Sequence, residues 1–539
     1  MQVLKDQGLK QLQELYISHN DLNGLPSCLA NLTNLQVLDI SFNEFTENIS
    51  LSPIGSLRSI RDLKLSDNRF QIPISLGPFF NLSNLKNLIG HNNEISESTE
   101  LEHNLIPRFQ LHTLSLACNG FGGTFPRFLY YQQDLLYVDL SYIKMTGEFP
   151  SWLLQNNTKL TKLYLVSNSL SGSFKLPNHS HVTLTLLDIS RNEIDNQIPT
   201  EIGSCFPRLW FLNLSRNHFG GSIPSSISNM SYLEVLDLSN NGLSGNIPEQ
   251  LVEGSLSLSV LVLSNNHLKG QLLWRSFNLA HLTDLILSGN QLTGILPDSL
   301  SNGSSLEALD VSLNNLTGKI PRWIGYMGIV LKYFTGIDLS YNNLTGEIPV
   351  ELGNLSNIKA LNLSHNSLTG PIPSTFSNLK DIESLDLSYN NLNGEIPRQL
   401  INLYSISVFS VAHNNLSGKT PEMVKQFSTF NSSCYEGNLL LCGPPLAKTC
   451  TGGTPPSPVP RPQTHNKEEN GFIDMGAFMV TFSVAYIMVL LAIGSVLYIN
   501  PSWRRAWFYF IGESINNCYY FLVDNLPVPA RFRRFQPCV

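Results

Sequence analysis

The sequence predicts an α/β-type solenoid: short parallel strands joined by loops and 3-10 turns, followed by a single transmembrane helix. Three observations carry this expectation. A nine-residue pattern, Leu-x-x-Leu-x-Leu-x-x-Asn, recurs along most of the chain. Charged residues make up only 14% of the 539 positions, against about 25% in ordinary soluble proteins. One 24-residue stretch, 476–499, carries no charge.

The repeat begins at Leu12 and returns at Leu35, Ile60, Leu85, Leu111, Leu135, Leu160, Leu184, Leu209, Leu233, Leu258, Leu282, Leu306, Phe334, Ile358, Ile382 and Ile406, giving 17 units. The commonest spacing, 24 residues, lies in the range of leucine-rich repeats. In the unit Leu233-Glu-Val-Leu236-Asp-Leu238-Ser-Asn-Asn241, side chains alternate with the strand period of two. Leu236 and Leu238 point inward, and Val235, Asp237 and Ser239 outward. One unit cannot bury its own leucines, whereas a stack forms a continuous core. The closing Asn is present in 16 of the 17 units, the sixth having Ile143. A buried amide must be hydrogen-bonded, so these Asn predict a structural ladder to the backbone.

After the Asn comes x-Leu-x-Gly-x-Ile-Pro, as in Asn342-Asn-Leu-Thr-Gly346-Glu-Ile-Pro349. Gly suits a turn with unusual φ, and Pro ends a strand ladder. This text resembles the plant-specific class of leucine-rich repeats, which implies a second short strand per unit and a superhelical twist.

The repeats end near Phe430, so residues 1–430 read as the repeat region, with units from residue 12. Residues 431–450 contain Cys434, Cys442 and Cys450 and resemble the C-terminal cap of plant leucine-rich-repeat receptors. That resemblance implies a Cys442–Cys450 bridge and an oxidising compartment, and leaves the state of Cys434 open. Residues 451–474 form a Pro-rich, then acidic, stalk. Residues 475–499 read as the transmembrane helix: the uncharged 24 reach about 36 Å at 1.5 Å per residue, enough for ~30 Å of hydrocarbon. Glu468, Glu469 and Asp474 precede the span, and Arg504 and Arg505 follow it. The positive-inside rule then puts residues 500–539 in the cytosol and the repeats outside. Ala477, Thr481 and Ala485 recur every fourth residue, a small-residue face suited to packing against another span.

Fourteen Asn-x-Ser/Thr sequons, at Asn31, Asn48, Asn81, Asn156, Asn178, Asn213, Asn229, Asn302, Asn315, Asn343, Asn354, Asn362, Asn415 and Asn431, all precede the span. They are the glycosylation sites expected of an extracellular region.

The tail, from Asn500-Pro-Ser-Trp-Arg-Arg-Ala-Trp-Phe-Tyr-Phe to Cys518-Tyr-Tyr-Phe-Leu-Val-Asp524, resembles that of plant leucine-rich-repeat receptor-like proteins. With repeats, cap and span, the resemblance covers essentially the whole chain. It implies a plasma-membrane, single-pass type I receptor without its own kinase. Such a receptor binds an extracellular peptide or protein and signals through a partner receptor-like kinase, in defence or development. The 40-residue tail is too short for a kinase domain. The alternatives are a non-signalling decoy solenoid and an inhibitor of wall-degrading enzymes. Two departures from the family stand out. The N-terminus shows neither an apolar signal region nor a paired-Cys cap, so the sequence reads as truncated there. The 28-residue spacing between units thirteen and fourteen looks like a shortened non-repeat island.

Ligand contact is expected on the outward strand positions. In units six to nine these include Tyr137, Tyr142, Lys162, Tyr164, Arg191, Phe211 and Arg216, rings and cations of the kind that form binding hot spots. The sequon at Asn213 lies on the same face. Units ten to seventeen offer mostly Ser, Asp, Val and Ala there, a plain scaffold. No enzyme, cofactor or metal site is expected. Ser417-Gly418-Lys419-Thr420 mimics the end of a phosphate loop, but the Gly required five residues before Gly418 is His413. His179 and His181 lack companion ligands. The net charge of -7 without a basic stripe argues against nucleic acid.

Overall fold

The computed structural model describes residues 10–96, 106–118, 123–254, 257–272, 281–302, 305–327 and 336–450. Residues 1–451 form one compact unit; a second, 452–539, lies outside the described residues. The expected span at 476–499, with Ala477, Thr481 and Ala485, falls in that second unit. Among the described residues, no helix is long and apolar enough to cross a membrane.

Each of the 17 repeats contributes one three-residue strand to a single 17-stranded parallel sheet, from Glu14–Tyr16 to Val408–Ser410. Every strand starts two residues after the first apolar position of its motif. Pairing follows chain order without slippage: Val235 faces Val260, Leu236 faces Leu261 and Asp237 faces Val262. The central residue of these strands, apolar throughout, is buried from Leu38 to Phe409 and partly buried at Leu15 in the first strand. Register is strict because a one-residue slip would turn the leucines to solvent. The 28-residue spacing leaves the sheet intact, with Ala308–Asp310 pairing in register with Gly336–Asp338.

The strands are short because the chain turns at once into the Asn ladder. Asn266 is typical: its Nδ2 donates to the carbonyls of Leu238 (3.0 Å), Leu263 (3.1 Å) and Ser264 (3.2 Å), and its Oδ1 accepts from the Leu243 amide at 3.0 Å. One side chain therefore ties two units and caps its own turn. The residue before the ladder Asn is left-handed along the stack, with φ of 55° at Ser167, 52° at Arg216 and 50° at Tyr341. A non-Gly residue there costs roughly 1–2 kcal/mol, which the four bonds of the following Asn offset. Where Ile143 replaces Asn, that side chain is fully buried, and the ladder resumes with Asn168 accepting from the Met145 amide. An unforeseen further rung lies in the cap, where Asn438 donates to Val411 and Tyr435 and accepts from Leu416.

A second strand in most units, such as Asn343–Glu347, builds with one strand of the cap a nine-stranded sheet running from Ser244–Gly245 to Leu440–Cys442, with shorter three- and two-stranded sheets nearer the N-terminus. The motif Gly lies inside this strand rather than at the expected turn. Gly346 has φ +80°, and an added Cβ would stand 3.1 Å from Lys319 Cγ. After the motif Pro come short 3-10 or α-helices, for example Val350–Asn354 after Pro349. Neighbouring units approach closely here: a Cβ on Gly353 would lie 2.5 Å from the Thr375 carbonyl oxygen.

The core is one apolar column from Leu29 to Leu441. Rings close its C-terminal end, with Phe409 packed 5.1 Å from Phe427, 5.5 Å from Phe430 and 5.9 Å from Tyr435, centroid to centroid. Cys442 and Cys450 form a disulfide with Cα atoms 5.0 Å apart. Cys434 is a free, partly exposed thiol.

Candidate ligand-binding face

The in-register sheet converts sequence columns into spatial rows. The first outward column holds Tyr137, Lys162, Leu186 and Phe211, each beside the next; the second holds Asp139, Tyr164, Asp188 and Asn213. Tyr137 and Tyr164 come together, with ring centroids 5.7 Å apart and planes tilted by 48°. Their phenols are held well above the ordinary range by burial, and then by the Asp139 carboxylate. Burial also raises the Asp139 carboxyl, against hydrogen bonds from Ser141. It pushes Asp188 up to about 6 despite hydrogen bonds from the Ser190 amide and hydroxyl.

The seven residues expected to contact a ligand do not occupy equivalent positions. Tyr137 and Lys162 are half-buried on the strands, and Tyr164 is 8% exposed. Tyr142, Arg191 and Arg216 sit beyond the strand end in the left-handed column, with φ of 57°, 57° and 52°, so they form a ridge beside the strand face. Phe211 is a correction: it is 2% exposed, with Trp210 edge-on at 5.6 Å. Strands in a sheet lie roughly 4.8 Å apart, so a ring on the first column is walled in by its neighbours Leu186 and Val235. Phe211 supports the face rather than presenting itself.

Asn213 is anchored. Its Oδ1 accepts from the Ser215 amide (3.0 Å) and hydroxyl (2.7 Å), and its Nδ2 donates to Asp188 at 3.3 Å. Asn362 repeats this arrangement with Ser364 and Asp338. Eleven other sequon Asn are exposed; the side chain of Asn302 is outside the described residues.

Two groupings were not foreseen. Toward the N-terminus, Ser66 Oγ lies 3.0 Å from His91 Nδ1, and His91 Nε2 lies 3.4 Å from Asp67 Oδ2. The residue types are those of a hydrolytic triad, but Ser66 is only 3% exposed, so the hydroxyl ties two units together and is no accessible nucleophile. Toward the C-terminus, four rings of the left-handed column stack across units fourteen to seventeen. The strand positions at this end are the plain scaffold expected, whereas the residues before the ladder Asn are Tyr341, His365, Tyr389 and His413. His181 is buried, with Nε2 2.9 Å from the Asn157 carbonyl and Nδ1 3.3 Å from Thr183 Oγ1, which leaves neither ring nitrogen for a metal. Among the described residues, no cluster of three or more potential ligands could hold a metal ion.

Residues 10–53 match the family described as Leucine Rich repeats (2 copies). Eight stretches between 183 and 403, including 232–253, 334–355 and 381–403, match Leucine Rich Repeat. Cuscuta receptor 1 of Solanum lycopersicum is 56% identical over 212 residues, 39% of this chain and 19% of that protein. Other curated relatives are named receptor-like proteins, from Arabidopsis thaliana and Solanum lycopersicum. The matches span less than a fifth of the length of the first of these relatives. Among solved structures, the ectodomain of the Arabidopsis thaliana membrane receptor kinase GASSHO1/SCHENGEN3, in complex with CASPARIAN STRIP INTEGRITY FACTOR 2, is 31% identical with TM-score 0.66. It covers 83% of this chain and 58% of that one. The Arabidopsis receptor kinase HAESA, in complex with the peptide hormone IDA and the co-receptor SERK1, is 28% identical with TM-score 0.52, covering 80% and 82%.

Proposed function

We propose that this chain, a leucine-rich-repeat protein similar to plant receptor-like proteins, is the recognition array of a plant cell-surface receptor. It binds an extracellular peptide or protein on its strand face and hands the signal to a partner receptor kinase through its transmembrane and juxtamembrane segments. The observation that carries this reading is the cluster on one face of the 17-stranded sheet: Tyr137 against Tyr164, Lys162 beside them, and the ridge of Tyr142, Arg191 and Arg216. Rings give contact area at low entropic cost, and Arg anchors carbonyls and carboxylates, a combination enriched at binding hot spots. The related ectodomains that hold partners in solved structures support the assignment of such a face to recognition. Glycans on the exposed sequons would then coat other faces, while the amides of Asn213 and Asn362 stay engaged on the strands.

Two measurements test this. The tagged full chain is expressed in plant cells and its membrane fraction treated with a glycosidase; the reading expects a large mass shift, and a soluble, unshifted chain overturns it. A displayed peptide library is then selected against the purified full chain. Binders of the wild type should lose at least about tenfold in affinity to a Tyr137→Ala/Tyr164→Ala variant, in line with hot-spot losses above roughly 1.4 kcal/mol. They should retain affinity for Ala360→Ser at the far end of the sheet. Binders indifferent to the double substitution would place recognition elsewhere.

A further inference from the structure

The left-handed column becomes a continuous stack of rings over the last four units. Tyr341 and His365 lie 3.9 Å apart with planes 13° from parallel, His365 and Tyr389 4.1 Å and 11°, Tyr389 and His413 4.2 Å and 20°. The backbone holds each ring in the same pose, with φ between 50° and 52° at all four. Tyr341 and Tyr389 remain 49% and 46% exposed. The stack then meets the cap. His413 Nε2 lies 3.5 Å from Glu436 Oε1, and the next residue is Gly437, where an added Cβ would come within 2.5 Å of His413 Nδ1. The absent side chain makes room for the imidazole.

Near-parallel faces are a poor arrangement for neutral rings, whose quadrupoles favour offset or edge contacts. They suit alternating phenol and imidazolium, since a cation within about 6 Å of a ring face is attracted to it. Protonated His365 would have a Tyr face on each side. Protonated His413 would have Tyr389 on one side and a carboxylate of the cap at its Nε2. The other charged groups on the strands leading into the stack do not oppose this. Asp338 and Asp386 each accept a hydrogen bond from the amides of Ser340 and Ser388, and Lys359 is paired with Glu383 at 2.7 Å.

We propose that Tyr341, His365, Tyr389, His413 and Glu436 form a proton-responsive clasp that fastens the last four units to the C-terminal cap in mildly acidic surroundings. The protonated imidazoles gain contacts only in the folded stack. The clasp is therefore tight while both imidazoles carry a proton and loosens once they give it up. The chain carries its own precedent for a non-titrating replacement: Phe42, with φ 53°, stacks on His19 at 4.2 Å in the same column.

The test is amide hydrogen exchange of the full chain in detergent at pH 5.5 and 7.5, corrected for the intrinsic chemical rate. Peptides covering 408–442 should be protected about fivefold more at pH 5.5, the effect expected of one such cation–π contact. Peptides within 257–272 should not respond. The His365→Phe/His413→Phe variant should show equal protection at both pH values, and Glu436→Gln should shrink the response. Equal protection in the wild type, a shift spread evenly along the chain, or a response that survives in both variants would each overturn the proposal.

Discussion

Replacing Asn390 by Ala should weaken the solenoid far more than its size suggests. Asn390 is 8% exposed. Its Nδ2 donates to the carbonyls of Leu363 (2.9 Å), Leu387 (3.2 Å) and Ser388 (3.1 Å), and its Oδ1 accepts from the Leu368 amide at 3.0 Å. Two of those partners belong to the preceding unit. Each bond contributes about 1 kcal/mol net, and the stranded Leu368 amide adds a desolvation penalty of roughly 1–3 kcal/mol. Partial relaxation recovers some of this, giving an expected loss of about 3–5 kcal/mol. Asn390→Asp keeps the acceptor but turns a carboxylate toward three carbonyls, and should cost at least as much. The control is the next residue: Asn391 is exposed, and Asn391→Ala should stay within about 0.5 kcal/mol. Denaturant unfolding gives the totals, and hydrogen exchange at the Leu368 amide locates the damage. A loss below about 1 kcal/mol for Asn390→Ala, or equal losses for both Asn, would refute the ladder as an energetic element.

Two further substitutions probe the core and the close contacts between units. Phe409→Ala empties the ring cluster closing the C-terminal end and should cost about 3–5 kcal/mol, read as a lower unfolding midpoint with lost exchange protection in 425–442. Gly353→Ala drives a methyl onto the Thr375 backbone at 2.5 Å and should cost roughly 1–3 kcal/mol. Gly220→Ala, with no heavy atom within 4 Å of the new Cβ, should be nearly silent in the same thermal melt.

The candidate site was legible only in part. Tyr137, Lys162 and Tyr164 could be placed because period-two alternation says which side chains leave the core. Phe211 obeys the same alternation yet is buried, because exposure depends on the side chains one strand away, which alternation along a single strand does not describe. The ring stack was not legible because its position carries no residue signature, since Tyr, His, Arg, Asn and Leu all occupy it, and only the stacking of units brings its members into contact. The cap's Asn438 escaped for a related reason, since the segment before it lacks the spaced leucines that mark a unit.

The sequence alone determined the architecture. Seventeen motifs gave seventeen strands, the closing Asn gave the ladder, and the Leu-x-Gly-x-Ile-Pro text gave a second strand. Each of these is a local rule repeated, so its signal accumulates with every unit. The tertiary structure decided what no single unit contains. It put Tyr137 against Tyr164 and set His365 between two tyrosines 24 residues away on either side. It anchored Asn213 to Asp188 and made Gly353 necessary by the approach of Thr375. All of these are contacts between neighbouring units, fixed by the stacking distance and register of the sheet, and they exist only once the units are stacked.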